Sequence, residues 1–249
     1  MSTLVETSSS ARSPATVSER IQAIDWECLS HELDGQGSAV VERLLFPNEC
    51  EMVAAWYSCD ELFRSRVVME NHGFGRGKYK YFAYPLPEII ASLRTGFYPH
   101  LVPIANRWNH LMGLTPQYPN QHGDFLARCH QAGQVKSTPL LLQYGKDDYN
   151  CLHQDLYGEH VFPLQLTILL SAPEHDFTGG EFVMTEQRPR RQSRPMVVPL
   201  RQGDGVLFAS HQRPVQGARG FYRVALRHGV SRIRSGHRYT AGVIFHDAQ

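Results

Sequence analysis

Residues 221–247 read FYRVALRHGVSRIRSGHRYTAGVIFHD. Two β-rich runs, 221–230 and 238–247, flank a polar stretch in which Ser235-Gly236 marks a turn. The same pattern recurs upstream. TPLLLQY (138–144), NCLHQD (150–155), VFPLQLTILLS (161–171), GEFVMTE (180–186), MVVPL (196–200) and GVLFAS (205–210) are short runs separated by Gly, Pro and Asp. Eight such runs within roughly 110 residues point to a jelly-roll or a small barrel.

The N-terminal half has a different period. SERIQAIDWECLSHELDG (18–35) offers Ser18 as a cap, then Ile21, Ile24, Cys28 and Leu29 at helical spacing, with Gly35 as the stop. A second helix is expected after Pro47, using Met52, Val53 and Trp56. A third (86–97) and a fourth (100–113) flank Pro99. Between the second and third lies HGFGRGKYKYFAYPLP (72–87). It is not a phosphate loop: His72 stands where that motif needs its first Gly, and Tyr79 follows Lys78. It reads as an aromatic hairpin, which either buries its tyrosines or presents them to nucleobases. The fold class expected is α+β, mainly β. Residues 1–15 form a loose tail, and 16–249 a single domain. Residues 16–135 give helical support with the aromatic hairpin, and 136–249 the jelly-roll core.

Composition narrows the setting. The 249 residues carry a formal net charge of +1 and 42% hydrophobic residues, as in an ordinary soluble globular protein. No run approaches the roughly 20 apolar residues that span a membrane, and the N-terminus lacks the apolar core of a signal peptide. Five cysteines without a CxxC pair read as reduced thiols of a cytoplasmic protein. From Arg188 to Arg238 there are twelve arginines and one acid, Asp204. That density fits either an anionic partner or a set of internal pairs.

His153 and Asp155, in CLHQD, stand two apart, so on a strand both face the same way. They are either two polar residues of a barrel or two ligands of one ion. A third ligand from a distant strand would complete a two-histidine, one-carboxylate set, which leaves three positions open on Fe(II). His228 ends one β-run, and Arg238 opens the last, sharing its face with Thr240, Gly242 and Ile244. As antiparallel neighbours, these runs would put His228 and Arg238 at one end of the barrel. Arg238 suits a bidentate grip on a carboxylate. His211 rivals His228, because Arg219 follows it eight residues on. The Gly179-Gly180-Glu181 turn is explained by glycine's freedom to adopt positive φ, and Asp204 by turn support.

HxD, the GGE turn, GDGVLF (203–208) and His228-x9-Arg238 resemble, in order and spacing, the 2-oxoglutarate/Fe(II)-dependent dioxygenases over about residues 138–247. LLLQYGKDDYNCLHQD (140–155) resembles the AlkB-like nucleic-acid demethylases. From about Leu45 the chain resembles a prokaryotic family of such oxygenases predicted to act on damaged nucleic acid. NCLHQDLYGE, DFTGGEF, EQRPR, RHGVSR and FHDA carry that likeness.

The resemblance implies a double-stranded β-helix (jelly-roll, cupin-like) beneath an N-terminal helical layer. It implies Fe(II) on His153, Asp155 and His228. It implies 2-oxoglutarate held by Arg238 and Tyr144, with O2 as co-substrate. The reaction implied is hydroxylation of a C–H bond with release of succinate and CO2, and on damaged nucleic acid oxidative demethylation of a single-stranded or flipped base. Tyr79, Tyr81, Arg188, Arg190 and Arg191 would then clamp the nucleotide. Two departures favour an alternative, a hydroxylase of a protein, peptide or small metabolite. Leu142 stands where the AlkB-like pattern has asparagine, and Arg238 sits at the spacing of the prolyl-hydroxylase-like branch. A binding module with a vestigial HxD is the remaining reading.

Overall fold

The computed structural model describes residues 15–115, 117–156 and 158–249. The tail expected over residues 1–15 lies outside the described residues, apart from Ala15. In chain order the first elements are α1 (Val17–Gln22), α2 (Trp26–Gln36), β1 (Ser38–Val41), α3 (Pro47–Ala55), β2 (Phe63–Val68), β3 (Gly75–Arg76), β4 (Lys78–Phe82), α4 (Glu88–Leu111) and α5 (His122–Gln131). Then come β5 (Leu140–Tyr144), β6 (Tyr149–His153), β7 (Leu164–Leu169), β8 (Phe177–Gly179), β9 (Phe182–Gln187) and β10 (Arg194–Val198). The last are β11 (Gly205–Ala209), β12 (Gln212–Gly217), β13 (Gly220–Val230), β14 (Ile233–Gly236) and β15 (Arg238–Val243).

Two antiparallel sheets face each other in a double-stranded β-helix. The larger has the order β1-β11-β7-β15-β5-β4-β2, and the smaller β10-β9-β13-β6-β3 with β12 beside β13. All eight expected runs are strands. The helices α2, α3 and α4 pack on strands of the larger sheet. A central strand such as β11 is therefore covered on both sides, which is why GVLFA is buried along its whole length. Among the described residues, no helix is long and apolar enough to cross a membrane.

Several local expectations need correction. The first helix is two. Thr16, not Ser18, caps α1: its hydroxyl accepts the Glu19 N–H at 3.2 Å while the Glu19 carboxylate accepts the Thr16 N–H at 2.7 Å. Asp25 caps α2 by accepting the Cys28 N–H, and Gly37, at φ 79°, ends it two residues beyond Gly35. Met52 of α3 is exposed. The third and fourth helices are one, α4, with Pro99 and Pro103 inside it. An interior proline costs about 3 kcal/mol. Here the fully buried Ile90, Leu93, Phe97, Tyr98, Leu101 and Trp108 more than offset that cost.

The aromatic stretch does not fold back on itself. Gly75-Arg76 pairs with β6 of the smaller sheet, while Lys78–Phe82 lies between β2 and β5 of the larger. The chain crosses between sheets at Gly77, at φ 128°, where a Cβ would stand 2.8 Å from a Tyr144 ring carbon. The partner strand β2 was not foreseen, nor were β1, β8, β12 and β14, nor α5.

Candidate metal centre

His228 stands directly opposite His153 in the β13–β6 ladder, which brings their ring centroids to 4.2 Å. Asp155 completes the group. Its Oδ1 lies 3.4 Å from His153 Nε2 and its Oδ2 3.4 Å from His228 Nε2. All the ligand atoms lie within 4.8 Å of one another, the one such cluster among the described residues. Asp155 does not share a strand face with His153, because β6 ends at His153. Instead Gln154 turns aside, donating to the carbonyls of His211 at 3.0 Å and Leu226 at 2.8 Å, and Asp155 swings back toward the histidines.

The donor chemistry suits a divalent ion. His153 donates from Nδ1 to the Cys151 carbonyl at 2.8 Å, leaving the Nε2 lone pair for the cluster. Phe208 packs on the His228 ring with centroids 4.5 Å apart. Burial, and then the neighbouring His228, pushes His153 down, so it stays neutral. Burial opposes ionisation of Asp155, but the hydrogen bond and charge of His228, followed by His153, hold its carboxyl at about 2. A neutral imidazole and a carboxylate are forms that bind metal.

Arg238 enters from the other side. His228 and Arg238 are not on neighbouring strands: β13 belongs to the smaller sheet and β15 to the larger. The intervening residues form a strand of their own, β14, which pairs with β8. The two residues face each other across the sandwich and line one cavity of about 220 Å³. Thr240, Gly242 and Ile244 line it with Arg238, as their alternation requires.

Arg238 is 1% exposed. It donates from Nη1 to Thr240 Oγ1, its Nε is without a partner, and among the described residues no carboxylate lies within ion-pair distance of it. Burial pushes the guanidinium down to about 10. A buried cation without an anion is costly, and a ligand carboxylate would relieve the cost. Tyr144 is fully buried beside it. Its hydroxyl makes no hydrogen bond of full geometry, although Asn150 is adjacent, and burial pushes it up.

Tyr79 and Tyr81 line the same cavity, with ring centroids 5.3 Å apart at 85°. Lys80 points away, to the Tyr57 carbonyl and Asp60. Phe74 stands at the mouth, 41% exposed, with its ring stacked on His72. Leu142 is part of the wall.

The arginine loop is elsewhere. Arg188, Arg194 and Arg213 gather on buried Glu186, and Arg190 and Arg191 are exposed on the turn before β10. None of the five lines the cavity. His211 stays outside the cluster, with Nδ1 3.0 Å from Ser210 Oγ. The GGE turn has Gly179 at φ 73° and Gly180 at 65°, and Asp204 accepts the N–H groups of Arg43 and Arg201.

Sequence reading missed Phe74 as a mouth residue and missed Gln165, Thr167, Phe182 and Phe208 in the wall. For Gln165 and Thr167 a signal existed: they are the alternate polar positions of the otherwise apolar LQLTIL.

Residues 77–248 match the family model Oxygenase-NA, described as an oxygenase catalysing oxidative methylation of damaged DNA. An uncharacterised protein of Mycobacterium tuberculosis is 53% identical over 167 residues, covering 67% of this chain and 72% of that protein. An oxidoreductase of the 2OG-Fe(II) oxygenase family from Burkholderia pseudomallei superposes with a TM-score of 0.53 at 14% identity, over 91% of this chain and 93% of that one. A prolyl-4-hydroxylase from Pseudomonas putida gives 0.51 at 11% identity, over 87% and 96%. At such identities the structural likeness is one of fold.

Proposed function

The chain belongs to the Oxygenase-NA family, and from that premise we propose that residues 16–249 form one Fe(II)- and 2-oxoglutarate-dependent dioxygenase domain. His153, Asp155 and His228 would hold the ferrous ion. Arg238 would take the far carboxylate of 2-oxoglutarate, with Tyr144 donating a hydrogen bond beside it. The observation that carries this reading is Arg238 itself, a buried guanidinium with no carboxylate in ion-pair distance among the described residues, facing the cavity that the histidine–aspartate cluster also lines. Iron and 2-oxoglutarate, when bound, supply the oxidation: O2 is consumed, a substrate C–H bond is hydroxylated, and succinate and CO2 leave. The chain's part is to hold these groups in register and to keep water out with Phe182, Phe208, Leu140 and Leu142.

Damaged nucleic acid is the substrate class this reading favours, after the family's description. Hydroxylation of an N-methyl group gives a hydroxymethyl group, which leaves as formaldehyde, so the net change is demethylation. Among the described residues, the cavity wall carries no charged side chain apart from the metal cluster and Arg238. It accepts a flat, uncharged ring between Tyr79, Tyr81 and Phe74, provided the base has left its stack. Arg190 and Arg191 are free to meet phosphates outside the cavity, whereas Arg188 is committed to Glu186. A peptide or small-metabolite hydroxylase is the second reading, favoured by the apolar Leu142 in the wall. The five free cysteines support a cytoplasmic setting.

The test is succinate release by the Fe(II)-loaded enzyme, offered methylated single-stranded DNA, peptides and small metabolites in parallel. Stimulation by the DNA, with binding that weakens as salt rises, is the expected result. Stimulation by a peptide or metabolite alone removes the nucleic-acid reading. No oxoglutarate consumption with any substrate class removes the oxygenase assignment of this site.

A further inference from the structure

Strand β7 alternates. Leu164, Leu166 and Ile168 join the main core, while Gln165 and Thr167 look into the cavity. Gln165 is 4% exposed, and its Nε2 makes no hydrogen bond of full geometry. Asp155 lines the same cavity and is the one carboxylate there among the described residues, and Gln165 is among the groups that lower its carboxyl. Across the β11–β7 ladder its direct partner is Phe208, the residue packed on the His228 ring.

An amide buried in a cavity wall that also includes Leu140, Leu142, Phe182 and Phe208 costs on the order of 1–3 kcal/mol unless it is hydrogen-bonded. Leucine or methionine would fit the same volume without that cost. A donor task that an apolar side chain cannot perform would offset that cost. Ligand carboxylates are oriented by donors from a surrounding shell, and Asp155, lying past the end of β6, has no strand of its own to hold it.

We propose that Gln165 is the positioning residue of Asp155. Its amide N–H donates to one carboxylate oxygen and so holds the other toward the Nε2 atoms of His153 and His228. The proposal rests on reading those three residues as the metal site. Service as a donor to substrate, with no effect on Asp155, is the competing role.

Co(II), titrated anaerobically without co-substrate, is the probe, because its visible absorption reports ligand geometry. Gln165→Leu and Gln165→Met both remove the donor at similar volume, so either serves if the other fails to fold. Each is expected to raise the Co(II) dissociation constant about 10- to 100-fold and to alter the visible spectrum. The thermal midpoint of the metal-free protein checks that each variant is folded. Unchanged Co(II) affinity and spectrum in both variants overturn the proposal, whether or not the metal-free protein loses stability, and leave Gln165 as a wall or substrate residue. Wild-type protein that binds no Co(II), or binds it as well after His228→Ala, overturns the metal reading beneath.

Discussion

Arg238 stands directly opposite Tyr144 in the β15–β5 ladder, with its guanidinium carbon 5.7 Å from the tyrosine ring centre. On the proposed reading of the site, the pair would make two separable contributions to co-substrate binding. A hydrogen-bonded charge pair is worth about 1.5–3 kcal/mol and a neutral hydrogen bond about 0.5–1.5. Arg238→Met should therefore raise the 2-oxoglutarate Kd by roughly 10- to 100-fold, and Tyr144→Phe by roughly 2- to 10-fold. Calorimetric titration of the metal-loaded protein reads both. Equal affinity in wild type and Arg238→Met would show that the guanidinium serves something else.

The choice between His228 and His211 is equally direct. His228 shares the cluster with His153 and Asp155, whereas His211 is turned to Ser210. His228→Ala should weaken metal binding by more than the roughly 100-fold that a supporting contact is worth. His211→Ala should leave metal affinity within about twofold of wild type while lowering stability, since the ring is largely buried. A reversed pattern in an anaerobic metal titration would move the site.

Two buried histidines that do not line the cavity make stability depend on pH. His122 donates to the Phe245 carbonyl at 2.7 Å, and His246 Nδ1 accepts the Phe162 N–H at 3.2 Å, a bond that protonation destroys. Burial first, then the charge of Arg94, pushes both down from 6.5 to about 4. Above pH 6.5 they are neutral in the folded and unfolded chains alike and have no effect. As pH falls below 6.5 the unfolded chain takes up protons that the folded chain refuses. Stability is lost progressively until about pH 4, on the order of 2–3 kcal/mol per histidine. Urea melts at pH 7 and 4.5 should show this loss, and His122→Gln should flatten it. An identical pH slope in wild type and His122→Gln would refute the assignment.

Asp247 anchors the segment that follows β15. It is fully buried and accepts from Arg94 Nη2 at 2.8 Å, from the Tyr84 hydroxyl at 3.0 Å and from His130 Nε2 at 2.8 Å. Asp247→Ala leaves Arg94 buried without its anion and should cost about 3–5 kcal/mol. Replacing both, as Arg94→Met with Asp247→Leu, should recover much of the loss, because the uncompensated charge disappears with the cavity filled. Urea midpoints measure each. A single variant as stable as wild type would show that the pair is not stressed.

Much of the β architecture was legible locally. The alternation and turn residues of 138–247 mark eight strands, and His153 and Asp155 mark the site, because both signals repeat within a few residues. The helical layer was legible in kind but not in its joints. Thr16 and Asp25 act as caps through bonds that depend on where the chain already turns, and α4 runs through Pro99 because Phe97, Tyr98 and Leu101 are buried around it. The arginines from 188 onward fitted either an anionic partner or internal pairs, and Glu186 gathers three of them from β9, β10 and β12 or the turns beside them.

The sequence by itself determined that the chain alternates, turns and carries a histidine–aspartate pair with a distal histidine and arginine, since side-chain period and glycine conformation are properties of a few adjacent residues. Only the tertiary structure decided that His228 and Arg238 face each other from opposite sheets, that Asp155 returns to His153 after its strand has ended, and that Gln165 lines the same cavity as that carboxylate. Those distances come from closing two sheets over one cavity. That closure sums many weak long-range contacts, and no short stretch of the chain records it.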